Sequence, residues 1–424
     1  MRMRPDDVRG LGMMAALALG GGVQRVAQAH AGIAERVFDT VTLGVGPAVR
    51  PVRAVHDGVT RGVYGTVQGS LTTAARLTGA ATAWRADGDA PALADVPRVR
   101  VALGFLNGLH GDLLNERVPG LALPMSVRSA GHDVPAEPDA LRAAHPAASD
   151  RIVVFLHGLV ETEDAWSLHA ERHHGDRDVT YGSLLERDLG YTPVRLRYNT
   201  GLRISANGAQ LDALLDKLVD AWPVPVRDLV LIGHSMGGLV ARSALAQAGD
   251  GTGVGERRWP GLVRDTITLG SPHLGSPVEQ GAHRLAGALR RLPETRWLAE
   301  QIDARSVGIR DLRHGDLLEA DWNAGDTDVR GKRRVRVPLH VGARHFVVLT
   351  TVAGSHDSWV GRWLGDLLVR PDSAVGDTGD DDRLAFPEDA VCRLTGLHHF
   401  DLLNHPDVYA AIRTWLTDRA KRDA

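Results

Sequence analysis

The stretch from Asp228 to Leu245, D-L-V-L-I-G-H-S-M-G-G-L-V-A-R-S-A-L, constrains this chain more than any other. An apolar run, Leu229 to Ile232, ends in Gly233-His234-Ser235-Met236-Gly237, and apolar positions at helical spacing follow at once. Strand, sharp turn and helix in that order make G-x-S-x-G a nucleophile elbow, with Ser235 as its nucleophile. The turn forces the serine into a strained backbone conformation, so the positions two before and two after it must lack side chains. Gly233 and Gly237 meet that demand, and Gly238 extends it. The pentapeptide alone says little, because with glycine at 48 of 424 positions it arises by chance in roughly one such chain in five. The flanking strand and helix carry the reading. The helix that starts at the elbow turns its positive end toward the place where an oxyanion would form, and Met236 N–H is one expected donor.

A serine hydroxyl needs a base, and the base needs an acid that fixes its tautomer and stabilises its charged form. On an elbow of this kind the partners follow in the chain order Ser, Asp or Glu, His, each on a loop after a strand. For the base the order selects His399 in G-L-H-H-F-D-L-L, with neighbouring His398 as the alternative. For the acid it selects Asp366 in W-L-G-D-L-L-V-R-P-D-S-A, with Asp372 and Asp357 as rivals. The second oxyanion donor belongs to the loop after an earlier strand beside the nucleophile. His157-Gly158-Leu159 follows the apolar strand Arg151 to Leu156, so Leu159 N–H is the expected donor and Gly158 permits a tight approach. His157 is expected to orient that loop by hydrogen bonds, and His234 and the elbow glycines to support the turn.

The rest of the chain reads as alternating strands and helices, which predicts a largely parallel sheet with right-handed crossovers. Helices are expected over Val99 to His110, Tyr181 to Leu189, Ser205 to Ala221 and Pro406 to Thr417. Strands are expected over Gly120 to Arg128, Thr192 to Tyr198 and Val263 to Leu269, with mixed strand and turn character over Leu339 to Leu349. The Pro/Ala stretch Val134 to Ala148 reads as a loop with one helical turn. The expected architecture is an α/β fold with a mostly parallel sheet flanked by helices over residues 91–424.

Residues 1–90 differ from everything after them. Apolar positions trace two helical stripes, from Val23 to Val41 and from Val52 to Leu71, split near Gly44-Val45-Gly46-Pro47. With ten arginines against seven acidic residues, this amphipathic region has two readings: a helical hairpin packed on the rest of the protein or on a second copy, or attachment to a lipid surface. Leu11 to Val23 also has the character of a signal-peptide core ahead of Ala27-Gln28-Ala29, but Asp6, Asp7 and Arg25 speak against export. No run reaches the roughly 18 apolar residues of a membrane span.

Composition narrows the partners. A net charge of -3 and 5% aromatic residues give no reason to expect nucleic acid. The single cysteine, Cys392, excludes an intramolecular disulfide and fits a cytoplasmic chain. His169, His173 and His174 lack the acidic partner of an H-E-x-x-H motif and read as a polar loop, so no metal and no cofactor is expected.

Taken together, H-G-L at 157, Y-N-T-G at 198, G-H-S-M-G-G at 233, G-S-P-H-L-G-S at 270, G-D-L-L-V at 365 and H-F-D-L-L at 399 resemble the lipases and esterases of the α/β-hydrolase superfamily. The nearest branch is that of bacterial lipases and their relatives, the inositol deacylases of GPI anchors. The resemblance spans roughly Val99 to Leu416 and implies Ser235, Asp366 and His399 as a triad, with Leu159 and Met236 as oxyanion donors. The chain departs from it at Leu367, where many relatives carry glycine. Some bacterial lipases hold calcium near the catalytic histidine, and Asp401 falls in a similar place without a second ligand in view. By the same analogy residues 275–324 would form a lid or cap, whose Leu285, Leu289, Leu292, Trp297, Leu298 and Ile302 are either core or an acyl-chain surface. The implied activity is hydrolysis of carboxylic esters of acyl lipids or similar apolar esters through an acyl-enzyme. The alternatives are a polyester or thioester hydrolase on storage granules, and an inactive lipid-surface scaffold.

Overall fold

The computed structural model describes residues 92–249, 257–276, 306–323, 337–354, 366, 368–376, 384 and 386–423, with isolated helical positions at 53, 54, 58 and 60. The helices expected within 1–90, and residues 277–305 of the expected cap with all six of its apolar positions, lie outside this set. The chain divides into two compact units, Met1–Leu123 with Gly281–Ser306, and Pro124–Gln280 with Val307–Ala424. Among the described residues no helix is long and apolar enough to cross a membrane.

In the first unit a helix, α1, runs over Pro97–Arg117 with proline in its first turn and non-helical angles at His110. Its buried Asn107 ties the segment together: the amide donates to the carbonyls of Leu103 and Leu121, and its oxygen accepts from Leu123 N–H, each at 2.9 Å. Leu93, Leu103, Leu114, Val118, Leu121 and Leu123 close a small apolar core around it.

The second unit is built on an eight-stranded sheet: β1 (Ser126–Ser129), β2 (His132–Val134), β3 (Arg151–Leu156), β4 (Thr192–Arg197), β5 (Asp228–His234), β6 (Val263–Leu269), β7 (Arg344–Thr351) and β8 (Val391–Thr395). Their order is β2-β1-β4-β3-β5-β6-β7-β8, with β1 antiparallel to both neighbours and the rest parallel. This is the α/β-hydrolase fold. All seven residues of β5 are buried, as a central parallel strand covered on both faces requires. Alternate residues feed two cores. Ile152, Val154, Leu229 and Leu231 meet the helices α4 (Ile204–Ala221) and α5 (Met236–Ala248). Val153, Phe155, Val230 and Ile232 meet α3 (Tyr181–Leu189) and α6 (Pro406–Asp423).

Several boundaries differ from the sequence expectation for identifiable reasons. Pro119–Leu121 is a 3-10 turn, and only Ser126–Ser129 pairs, as one arm of an edge hairpin. Within the stretch expected to be a loop with one helical turn, Pro138–Ala144 forms a seven-residue helix, α2, because proline at its start and Leu141 buried in the core favour it. The strand β8 carries no buried run and pairs along one side only. The described part of the expected cap, with Leu312 and Leu317, packs into the core.

Candidate active site

The predicted site residues gather at the carboxyl ends of the parallel strands, where loops have room to converge. Ser235 follows β5 and adopts φ 53 and ψ -121, a conformation costly for any residue with a side chain. Two hydrogen bonds hold it there: its N–H donates to Leu269 O at 2.8 Å, and Ser271 Oγ donates to its carbonyl at 2.7 Å. The glycine demand read from the sequence has a direct cause. A Cβ on Gly233 would overlap the Gly238 nitrogen, and one on Gly237 would overlap the Leu156 carbonyl.

The loop after β3 lies against the serine. A Cβ on Gly158 would come within 3.0 Å of Ser235 Cβ. His157 is fully buried and orients this loop: its Nε2 accepts from Tyr198 N–H at 3.3 Å, which leaves Nδ1 to donate to Gly158 O at 3.0 Å. Tyr198 stacks on the ring and donates its hydroxyl to His157 O at 2.5 Å. Burial drives the His157 pKa below its ordinary value, consistent with a neutral ring. Among the described residues, neither Leu159 N–H nor Met236 N–H donates a hydrogen bond, so both are free to meet an anion.

His399 and Asp366, each 2% exposed, form the closest charged contact of the site, with Nδ1 2.6 Å from Oδ2. The other Asp366 oxygen accepts from Leu368 N–H at 2.9 Å and Val369 N–H at 2.7 Å, which fixes the carboxylate. Burial works against a charged His399, but the Asp366 charge and hydrogen bond, helped by Glu161, overcome it and raise the ring above its ordinary pKa. Its Nε2 is buried and, among the described residues, has no hydrogen-bond partner. Gly270 makes room for the ring, since a Cβ there would lie 3.0 Å from His399 Cε1.

Of the rival residues, His398 is engaged elsewhere. His398 pairs with Asp401 at 3.2 Å, and Asp401 also accepts from His398 N–H at 3.0 Å. Asp372 is exposed in the first turn of Pro371–Ala374, and Asp357 lies outside the described residues. Among the described residues no group of His, Cys, Asp and Glu is arranged to hold a metal ion.

Three residues of the site escaped the sequence reading as individuals. Ser271 and Gly270 sit in the G-S-P-H-L-G-S motif, where their spacing relative to β6 was the available signal. Glu161 carries no motif. Its carboxylate accepts from Gly158 N–H at 2.5 Å and lies 3.0 Å from His234 Nδ1. Burial would push its pKa up, but His234 and the Gly158 N–H outweigh burial and hold it below the usual carboxylate range.

Residues 148–353 match the family model described as the PGAP1-like alpha/beta domain. No curated protein matches the chain. Among solved structures it is similar to a Bacillus licheniformis lipase in mature form, at 19% identity and a TM-score of 0.40, over 69% of this chain and 96% of that one. It is also similar to lipase 1 of Pelosinus fermentans, at 14% identity and a TM-score of 0.38, over 63% of this chain and 98% of that one. A Pyrococcus furiosus esterase is similar at 15% identity and a TM-score of 0.36, over 64% of this chain and 82% of that one.

Proposed function

We propose that this α/β-hydrolase-fold chain, with its PGAP1-like alpha/beta domain, is a serine hydrolase of carboxylic esters that acts on acyl lipids or similar apolar esters. The observation that carries the reading is the state of His399: Nδ1 is bound to Asp366 and Nε2 is buried with no partner among the described residues, which is the arrangement of a general base waiting for a hydroxyl. In this scheme His399 Nε2 removes the Ser235 proton, and Oγ attacks the ester carbonyl. Asp366 keeps the proton of the neutral ring on Nδ1 and balances the imidazolium that forms. Leu159 N–H and Met236 N–H receive the oxyanion at the start of α5, where the helix dipole adds to them. The imidazolium returns its proton to the leaving alcohol. Water, activated by the same ring, then hydrolyses the acyl-enzyme. The apolar ester as substrate rests on the motifs shared with lipases and esterases.

Hydrolysis of p-nitrophenyl esters from acetate to palmitate by the intact protein and by Ser235→Ala tests the proposal. Turnover that rises with chain length and disappears in the variant is expected. Equal rates for the two proteins would overturn it.

A further inference from the structure

A second buried acid and imidazole stand beside the proposed triad, and the ester-hydrolysis scheme leaves them unused. Glu161 comes from the loop after β3 and His234 from the last position of β5, so the pair joins the expected oxyanion loop to the elbow. The His234 side chain is 0% exposed and that of Glu161 9%. Glu161 reaches His234 Nδ1 at 3.0 Å through one oxygen and 3.1 Å through the other, which also accepts from Gly158 N–H at 2.5 Å. On the far side of the His234 ring, Nε2 lies 3.4 Å from the His399 carbonyl oxygen. Both ring nitrogens therefore face acceptors. A neutral imidazole has one N–H and would turn a lone pair toward one of those oxygens, whereas the doubly protonated ring satisfies both.

The charge balance points the same way. Glu161 Oε2 and Ser235 Cβ would each lie 3.0 Å from a Cβ on Gly158, so the carboxylate stands next to the place where an oxyanion would form. An unbalanced carboxylate there would oppose the reaction. His157 accepts from Tyr198 N–H and is neutral, so it does not supply the balance. The rings beside His234 are those of Phe400 and His399, at centroid distances of 6.1 and 4.8 Å.

We propose that Glu161 and His234 form an ion-paired positioning dyad: Glu161 fixes the turn that presents Leu159 N–H, and the His234 imidazolium cancels the charge that Glu161 brings to the site. The dyad's effect on turnover rests on the ester-hydrolase reading, while its ionisation does not. The test combines kinetics of Glu161→Gln, His234→Gln and the double variant on p-nitrophenyl butyrate with nitrogen-15 spectra of the ring nitrogens in full-length protein. Two protonated nitrogens on His234 at neutral pH, reduced to one in Glu161→Gln, are expected. In kinetics, His234→Gln should lower kcat by about 10²-fold with KM nearly unchanged, on the scale of a lost oxyanion donor. Adding Glu161→Gln should recover at least tenfold of that loss, because it removes the unbalanced charge; a purely structural role gives no such rescue. A neutral His234 ring in the parent protein, or losses that simply multiply in the double variant, would overturn the dyad. Turnover that survives Ser235→Ala would instead defeat the hydrolase reading, and the ring spectra would still decide the ionisation of the pair.

Discussion

Asp366 and His399 are 33 residues apart in the chain, yet they meet at 2.6 Å inside the protein and hold each other twice. His399 N–H donates to Asp366 O at 3.3 Å, and the side chains join through Nδ1 and Oδ2. The ring is thereby fixed in orientation and tautomer, and its second nitrogen is left without a partner among the described residues.

Asp366→Asn should therefore disturb the proposed base in two ways. The amide can present its N–H to Nδ1 and favour the wrong tautomer, so kcat should fall by about 10³- to 10⁴-fold. The raised His399 pKa places the acid limb of the wild-type rate profile above the ordinary imidazole value, because only the neutral ring accepts a proton. Removing the carboxylate should move that limb to lower pH. Stability follows the same linkage. A pKa raised in the folded state adds stability that is complete below the unfolded value and fades as pH rises through the folded one, so the wild-type advantage over the variant should hold in mildly acid solution and shrink as pH rises from the ordinary imidazole value through the raised one. Rate profiles and melting temperatures across pH check both parts.

The strain at Ser235 predicts a trade between stability and turnover. With φ 53 on a residue that carries a Cβ, Ser235→Gly should raise stability by about 1 kcal/mol relative to Ser235→Ala, after the entropy that glycine loses on folding is counted. Both variants remove the hydroxyl, so their difference isolates the backbone. Equal denaturant midpoints for the two would show that the elbow stores no strain.

Gly237→Ala should behave in the opposite sense. The added Cβ has no flexible side chain to displace, because it meets the Leu156 carbonyl on the adjacent strand. The elbow or β3 must shift, and a loss of several kcal/mol, of the order of the larger single-residue effects, is expected. A soluble, fully folded Gly237→Ala with parental melting temperature would contradict the packing described.

What could be read without coordinates was local or fixed by chain order. The elbow is legible because Gly233 answers to contacts within five residues, because the G-x-S-x-G spacing is fixed along the chain, and because the apolar run Leu229–Ile232 of β5 precedes it. Asp366 and His399 were reachable through the order of strands and loops. Glu161 was not, since its meaning depends on His234, 73 residues later, coming to its side. The strand β8 escaped for a different reason: its residues are half-buried or exposed at the sheet edge, so no apolar run marks it. The Pro/Ala composition around the helix Pro138–Ala144 shows in local pattern only one turn within a loop, short of the seven residues that are helical.

At the other end of the sheet a buried ionic network separates stability from the proposed chemistry. Arg419 from α6 bonds to Asp228 at the start of β5, to Asp265 in β6 and, at 2.6 Å, to the Tyr191 hydroxyl. Arg151 and Arg344 complete the set, the first 3.3 Å from Asp228 and the second 2.8 Å from Asp265. From Asp228 to Ser235 the strand runs seven residues, about 23 Å at strand rise. Arg419→Met keeps apolar bulk but leaves two buried carboxylates short of a cation, which should cost about 3–5 kcal/mol. The Tyr191 hydroxyl also loses a donor, and burial, helped by the neighbouring Asp228 charge, already pushes its pKa above the ordinary value, so it cannot supply the missing charge balance. The expected result is a large fall in denaturant midpoint with unchanged kcat and KM at a temperature where the variant remains folded. If turnover fell in parallel with stability under those conditions, the ionic end of the sheet would be coupled to the elbow through β5, and the separation would be wrong.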